Sequence, residues 1–247
     1  MTSPVVTAGV DEGFLDATSK MASKGIGTLV IMDRKNKVAG VLTEREMLYY
    51  LVVNEGIPDK SIGYLVNKKF SKVSPYTDIR DAAKTMVTKN NRLLVFDEGE
   101  LTGIITASDM VRAFLQRRRN PPLKGIARQK VFTVHPDSTI LDAVKAMLKK
   151  RIGSVIVTAG DEDRRKSPSG IFTERDLLVK VLAQKIDLLE RVGSYSSYPL
   201  VTAKTGIGAK DAAQIMSSNK IKRLPLTKRG KIVAMVTARD LVSALLK

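Results

Sequence analysis

The chain has 247 residues, 43% of them apolar, enough for one large domain or two ordinary ones with a substantial core. It contains no Cys and a single His, His135, so disulfides and thiolate chemistry are excluded, and a His-based metal site or acid–base pair has almost no material. The net charge is +17 and uneven: residues 1–124 hold 19 basic and 14 acidic residues, residues 125–247 hold 23 and 11, a surplus that attracts anions unless it serves only solubility.

In chain order, Val5-Val6-Thr7 reads as a short extended run, followed by a helix over 14–23 and strands over 28–32 and 38–42 joined by a turn at 33–37. Val73-Ser74-Pro75 then precedes a helix over 79–88, and a strand over 93–96 pairs with one over 101–105 across Asp97-Glu98-Gly99-Glu100. Val131-Phe132-Thr133-Val134 is the next extended run and ends at His135-Pro136. Asp137-Ser138-Thr139 offers helix caps. Ile140, Leu141, Val144, Met147 and Leu148 form one apolar helical face, which Arg151-Ile152-Gly153 ends. A strand over 154–157, a polar hairpin loop over 161–169 and a strand over 170–172 follow, then a helix from Thr173 carrying Leu177, Leu178, Val181 and Leu182. Finally Pro199-Leu200-Val201-Thr202 leads into a helix over 209–218. Strands over 224–226 and 232–236 pair across Lys228-Arg229-Gly230, and a helix runs from Thr237. Every stretch reads β-α-β-β-α.

The repetition is literal. Asp-Ala-x-x-x-Met begins at Asp16, Asp81, Asp142 and Asp211, and threonines close the last strands at Thr43, Thr106, Thr173 and Thr237. The string reads as structural, with Ala and Met facing the packing and Asp in the first helical turn. A unit of this size buries too little surface to stand alone. Pairing one with two and three with four solves that. The join Arg117-Arg118-Arg119-Asn120-Pro121-Pro122 marks the boundary, because two prolines cannot continue the preceding helix. The expected units are 1–58, 59–120, 126–190 and 191–247, in modules 1–120 and 126–247.

These features resemble the cystathionine β-synthase (CBS) domain family over nearly the whole chain. The family pattern is Gly-apolar-apolar-Thr/Ser-x-x-Asp. It is matched by Gly103 to Asp109 and Gly170 to Asp176, by Ala234 to Asp240 with Ala for Gly, and by Gly40 to Glu46 with Glu for Asp. The resemblance implies an α/β (α+β) fold of four β-α-β-β-α CBS units paired into two Bateman modules. These would close as a pseudo-fourfold disc or pair between chains as a homodimer. It is similar to the γ subunits of AMP-activated protein kinase and to stand-alone archaeal proteins. It implies adenosine nucleotides (AMP, ADP or ATP) in clefts between paired units, with no metal required.

The pattern has a physical logic. A strand that ends at Thr and turns into a helix presents free N–H groups and a positive dipole end. Thr43, Thr106, Thr173 and Thr237 would add a hydroxyl for phosphate, and Asp109, Asp176 and Asp240 could accept bonds from a ribose diol. Arg175 and Arg239, with Arg45, could add phosphate contacts; Ser108 stands in that place in unit two. The competing reading is a capping box, which Glu46 fits best; Asp is too short to be its preferred partner. Lys220-Ile221-Lys222-Arg223-Leu224-Pro225 resembles the basic stretch of kinase γ subunits. Lys222 and Arg223 would then reach phosphates, with Arg92 after Asn90-Asn91 as the counterpart in module one. Units one and three have Gly25-Ile26-Gly27 and Arg151-Ile152-Gly153 there. In the family the first strand lines adenine, which here means Thr7, Ser74, Thr133 and Thr202. His135 reads as an occupant of the Pro136 loop.

The reading is a non-catalytic, ligand-sensing regulator that signals to a protein effector, with its best chemistry in units three and four. The alternative is nucleic-acid binding, resting on Arg117-Arg118-Arg119 and on six basic residues with no acid between 217 and 231. With 5% aromatic residues and no Trp, stacking platforms for single strands are scarce. A phosphate-cradling Gly-Lys loop, a nucleophile pair and a metal-ligand cluster are all missing from the sequence, so an enzyme is not expected. No apolar run reaches membrane-spanning length and the first residues lack a signal-peptide pattern, so the expected location is cytoplasmic. Few Cys, Trp and His beside many charges lean toward a thermophile.

Overall fold

The computed structural model describes residues 1–89, 92–116, 118–123, 125–127, 131–158 and 168–246. Asn90, Asn91, Arg117 and most of the expected polar hairpin loop (161–167) lie outside the described residues. Each repeat forms its own three-stranded sheet: β1 (Thr7–Gly9), β2 (Thr28–Met32) and β3 (Val38–Thr43); β4 (Phe70–Val73), β5 (Arg92–Asp97) and β6 (Glu100–Ile105); β7 (Thr133–Val134), β8 (Ser154–Thr158) and β9 (Pro168–Thr173); β10 (Ala203–Lys204), β11 (Arg223–Lys228) and β12 (Lys231–Thr237). The first strand of each lies parallel to the second, and the second antiparallel to the third. A parallel pair needs a crossover, and a helix supplies it every time. These helices are α1 (Phe14–Ser23), α3 (Ile79–Lys89), α5 (Ile140–Lys149) and α8 (Ala209–Ser218). The helices after the third strands are α2 (Glu44–Val53), α4 (Ala107–Leu115), α6 (Glu174–Asp176) and α9 (Ala238–Ala244); a π-helical stretch, Leu177–Leu182, continues α6.

The expected first strand of repeat three holds at Thr133–Val134, and the other three are displaced by a few residues. β1 starts at Thr7 and β10 at Ala203, whereas β4 ends at Val73, so Ser74 lies in the following turn and Thr202 precedes its strand. These strands are short, and their register is set by the second strand, Thr7 against Val30 and Ala203 against Leu226, not by a pattern of their own. A 3-10 turn at Ile62–Leu65 and helix α7 (Val192–Tyr195) were not foreseen.

The Asp-Ala-x-x-x-Met strings are core. Ala17, Met21, Ala82, Met86, Ala143, Met147, Ala212 and Met216 are all buried. The chain forms two compact bodies, one of Val6–Lys68 with Phe132–Leu200, the other of Met1–Val5 and Lys69–Val131 with Val201–Lys247. Helix burial is shared between repeats one and three and between repeats two and four. The reason lies in the helices. In the first body α1 packs on the helical stretch 177–182 and α2 on α5, and one cluster joins Met21, Leu48 and Leu51 to Met147, Phe172 and Leu178. In the second α4 packs on α8 and α9, and Met86 and Phe114 meet Met216 and Leu241.

Three sheets carry an extra strap across the third strand. Asn67 exchanges two backbone bonds with Val41 (2.9 Å each), Ser197 with Ile171 (2.8 and 3.1 Å) and Thr2 with Ile104 (2.9 and 3.1 Å). This explains the glycine of the Gly-apolar-apolar-Thr pattern. A Cβ on Gly40 would lie 2.4 Å from Val66 Cγ1 and 2.6 Å from the Asn67 carbonyl; one on Gly103 would meet Met1, and one on Gly170 would meet Tyr198. At Gly40 the obstacle includes backbone, so only a residue without a side chain lets the strap cross there, whereas at Gly103 it is the flexible end of Met1.

Candidate functional site

The four strand-to-helix corners share one geometry. Thr43, Thr106, Thr173 and Thr237 cap their helices with extended backbone, ψ between 159 and 170°. Their N–H groups donate to the acid three residues on, at 3.1 Å for Glu46, 2.8 Å for Asp109 and 2.9 Å for Asp176 and Asp240. The Thr hydroxyls bond the same oxygens, at 2.7 Å in the three Asp corners. The expectation that Asp is too short for this box is thus corrected. The extended cap turns its N–H back over the first helical turn, within reach of the shorter carboxylate.

The second carboxylate oxygen holds the strap. Asn67 Nδ2 donates to Glu46 Oε1 at 2.8 Å, and Ser197 Oγ to Asp176 Oδ1 at 2.7 Å. Thr2 Oγ1 donates to Asp109 Oδ1 at 3.5 Å. Cations join them: Arg112 lies 2.7 Å from Asp109 and Lys180 2.9 Å from Asp176. Sequence reasoning missed Asn67, Ser197 and Thr2, which sit far along the chain from the acids they touch. An ionised carboxylate has about four lone-pair sites, so each acid can take a ligand hydroxyl beside, or in place of, the strap's donor.

The arginines two residues after Thr are already engaged in the first body. Arg175 reaches Glu44 at 3.4 Å and Arg45 reaches Glu174 at 3.6 Å, a reciprocal pair across repeats one and three. Both glutamates are buried. Gly27 makes this possible, since a Cβ there would lie 2.9 Å from the Glu44 carboxylate, and Glu44 and Glu174 donate backbone bonds to Gly27 and Gly153. In repeat four Ala238 takes the glutamate's place and donates to the Lys222 carbonyl at 2.8 Å. Small residues at the strand entrance therefore accompany Glu, and Lys222 accompanies Ala.

Arg239 is half-buried in the first turn of α9. Lys222 and Arg223 are half-buried at the entrance of β11, and Arg92 likewise opens β5. Thr7 and Thr133 are exposed on β1 and β7, while Ser74 and Thr202 are exposed beside their strands. His135 accepts the Asp137 N–H at Nδ1, 3.3 Å away, in the Pro136 loop. An open groove of about 560 Å³ in the first body is lined by Val10, Asp11, Arg34, Ser61 and Tyr64, none of which the sequence nominated. The Arg34 guanidinium bonds Asp11 at 3.0 Å and holds its carboxyl below the ordinary value. Among the described residues no cluster of His, Asp and Glu could hold a metal ion, and no helix is long and apolar enough to cross a membrane.

The CBS domain model matches residues 1–53, 62–116, 123–183 and 192–247. Protein MJ1225 of Methanocaldococcus jannaschii is 32% identical over 199 residues, covering 72% of this chain and 69% of that protein. Protein MJ1404 of the same organism is 26% identical over 98% of this chain, which spans 60% of its length. The crystal structure of MJ1225, proposed as an archaeal homolog of γ-AMPK, superposes with a TM-score of 0.80 at 20% identity over 99% of this chain and 97% of that one. A conserved protein of Pyrococcus horikoshii gives 0.67 at 19% identity, with 99% and 97% covered.

Proposed function

This chain belongs to the CBS domain family, and we propose that it is a non-catalytic regulatory protein that senses adenosine nucleotides, AMP, ADP or ATP. The observation that carries the reading is the corner built four times over: a capped helix start with a carboxylate at its third position. Backbone dipoles there favour phosphate, and the acid suits a ribose diol. Thr106 with Asp109, Thr173 with Asp176 and Thr237 with Asp240 are the proposed ligand corners. Arg92, Lys222, Arg223 and Arg239 are the proposed phosphate cations. Thr7, Ser74, Thr133 and Thr202 are the proposed adenine neighbours. Thr43 belongs to the corner that reads mainly as a cap, and Arg175 reaches phosphate only by leaving Glu44. The MJ1225 likeness supports the same reading.

Thermal unfolding with a panel of AMP, ADP, ATP and GTP tests it. Saturation at about a hundred times the dissociation constant adds roughly 2.7 kcal/mol. Asp176→Asn with Asp240→Asn should reduce the shift, leaving what the Thr106–Asp109 corner supplies, in a chain that still folds. Absence of any shift with the adenosine nucleotides, or an unchanged shift in the double variant, refutes the assignment.

A further inference from the structure

The charge of the chain is segregated between the two bodies. The body of repeats one and three holds 19 basic and 17 acidic residues, a surplus of 2; the body of repeats two and four holds 23 and 8, a surplus of 15. Solubility would be served as well by cations spread over both.

Within the basic body the chain path gathers cations at one end of the sheet of repeat four. β10 runs parallel to β11 with Lys204 beside Thr227, so Lys204 lies at the hairpin end of the sheet. There Lys228 and Lys231 are direct cross-strand partners, with Arg229 in the turn between them. Helix α8 starts five residues after Lys204, at the same end. Its first N–H, from Ala209, donates to Pro121 O, and the Lys210 N–H donates to Asn120 Oδ1, both at 2.8 Å, which brings Arg118 and Arg119 alongside. Arg118, Arg119, Lys204, Lys228, Arg229 and Lys231 are all exposed. Asp211 shares this end, but its Oδ2 already accepts from Gly208 N–H (3.1 Å) and Asn120 Nδ2 (3.0 Å). The matching hairpin of repeat two pairs Asp97 with Glu100 instead, so the concentration of cations is local to repeat four.

We infer that this end of repeat four binds the phosphate backbone of double-stranded nucleic acid without reading its sequence. The six cations come with no aromatic side chain, so a single strand would find no stacking platform among them. The cluster also lacks the aromatic anchors on which the centre of a protein interface is built. A duplex, with one charge per about 1.7 Å of axis, supplies what the cluster can use. The inference makes no use of the Thr-x-x-Asp corners and stands apart from nucleotide sensing.

Fluorescence anisotropy of a short labelled DNA duplex with the full chain, across a salt series, tests it. Five neutralised phosphates give a log–log slope of about −4.5, roughly a 500-fold loss of affinity between 50 and 200 mM salt. Lys228→Gln, Arg229→Asn and Lys231→Gln together should make the slope shallower by about 2.7, with thermal unfolding unchanged. Lys24→Gln, Lys145→Gln and Lys149→Gln, on the other body, should leave binding as it is. Equal losses from the two triple variants would reduce the effect to net charge and overturn the inference. So would failure to bind at 50 mM salt, tighter binding of the single strand, or competition by polyglutamate as effective as that of unlabelled duplex.

Discussion

Asp176→Ala deletes one buried carboxylate that serves both a helix start and a strap. Its Oδ2 takes the Thr173 N–H and hydroxyl at 2.9 and 2.7 Å; its Oδ1 takes Ser197 Oγ at 2.7 Å and Lys180 Nζ at 2.9 Å. Thr173 Oγ1 still accepts the N–H of residue 176, so only the carboxylate half of the capping box is lost, at about 0.5–2 kcal/mol. Ser197 and Lys180 keep each other at 2.9 Å and are partly solvated, so losing their shared acceptor adds about 1–2 kcal/mol. The sum, about 1.5–4 kcal/mol, corresponds to a fall in Tm of roughly 3–16 °C for a chain of this size. Urea and thermal unfolding without any nucleotide measure it. Asp176→Asn retains an acceptor for the cap and should lose about half as much. A stability within ~0.5 kcal/mol of wild type for the Ala variant would refute the structural role of this acid and leave only a ligand role.

In the first body, Arg175→Met removes a charge partner from buried Glu44 and should destabilise by about 1–3 kcal/mol; adding Glu44→Gln should recover part of the loss, and a double-mutant cycle that shows no coupling would sink the reciprocal-pair reading. Gly40→Ala drives a methyl into the strap and should cost about 1–3 kcal/mol, whereas Gly9→Ala, with nothing within 4 Å of the new Cβ, should be near neutral in the same urea titration. Glu12 resists the upward pull of burial because the Lys20 ammonium, 2.7 Å away, and the Gly9 N–H hold its pKa below the ordinary value. Its contribution is therefore present above the unfolded Glu value and fades as pH falls through the lower folded one; Glu12→Gln should flatten that part of the acid limb of stability, and an unaltered limb would contradict it.

The repeats, and helices such as 14–23 and 209–218, were legible because apolar spacing, caps and turn residues act within a few residues of each other. Three of the four first strands were misplaced because so short a parallel strand takes its register from its neighbour. The corners were legible as positions but only half legible as contacts: Thr173 and Asp176 are three residues apart, whereas Ser197 reaches Asp176 from 21 residues away. The pairing of repeats did leave a trace. Glu44-Arg45 and Glu174-Arg175 mark repeats one and three, and Ala107 and Ala238 mark two and four. A buried carboxylate must find a cation, so that alternation points to the partner with which each repeat shares its core. The run of cations around Lys228 was visible as composition; its meeting with Lys204, Arg118 and Arg119 was not, because it depends on which end of a strand the next helix leaves from.

The interleaving of repeats has a consequence for how the chain is made. Neither core can close on a nascent chain that has only passed Asn120, because each then holds one of its two halves. The body of repeats one and three completes near Leu200 and the other only near the C-terminus. The packing of α1 on the 177–182 stretch joins segments more than a hundred residues apart, so loop closure over long stretches precedes most of the burial. At about 5–20 residues per second of synthesis, the first two repeats wait for several seconds with apolar faces open. A truncation at the proline-rich join would give two half-cores instead of one finished module.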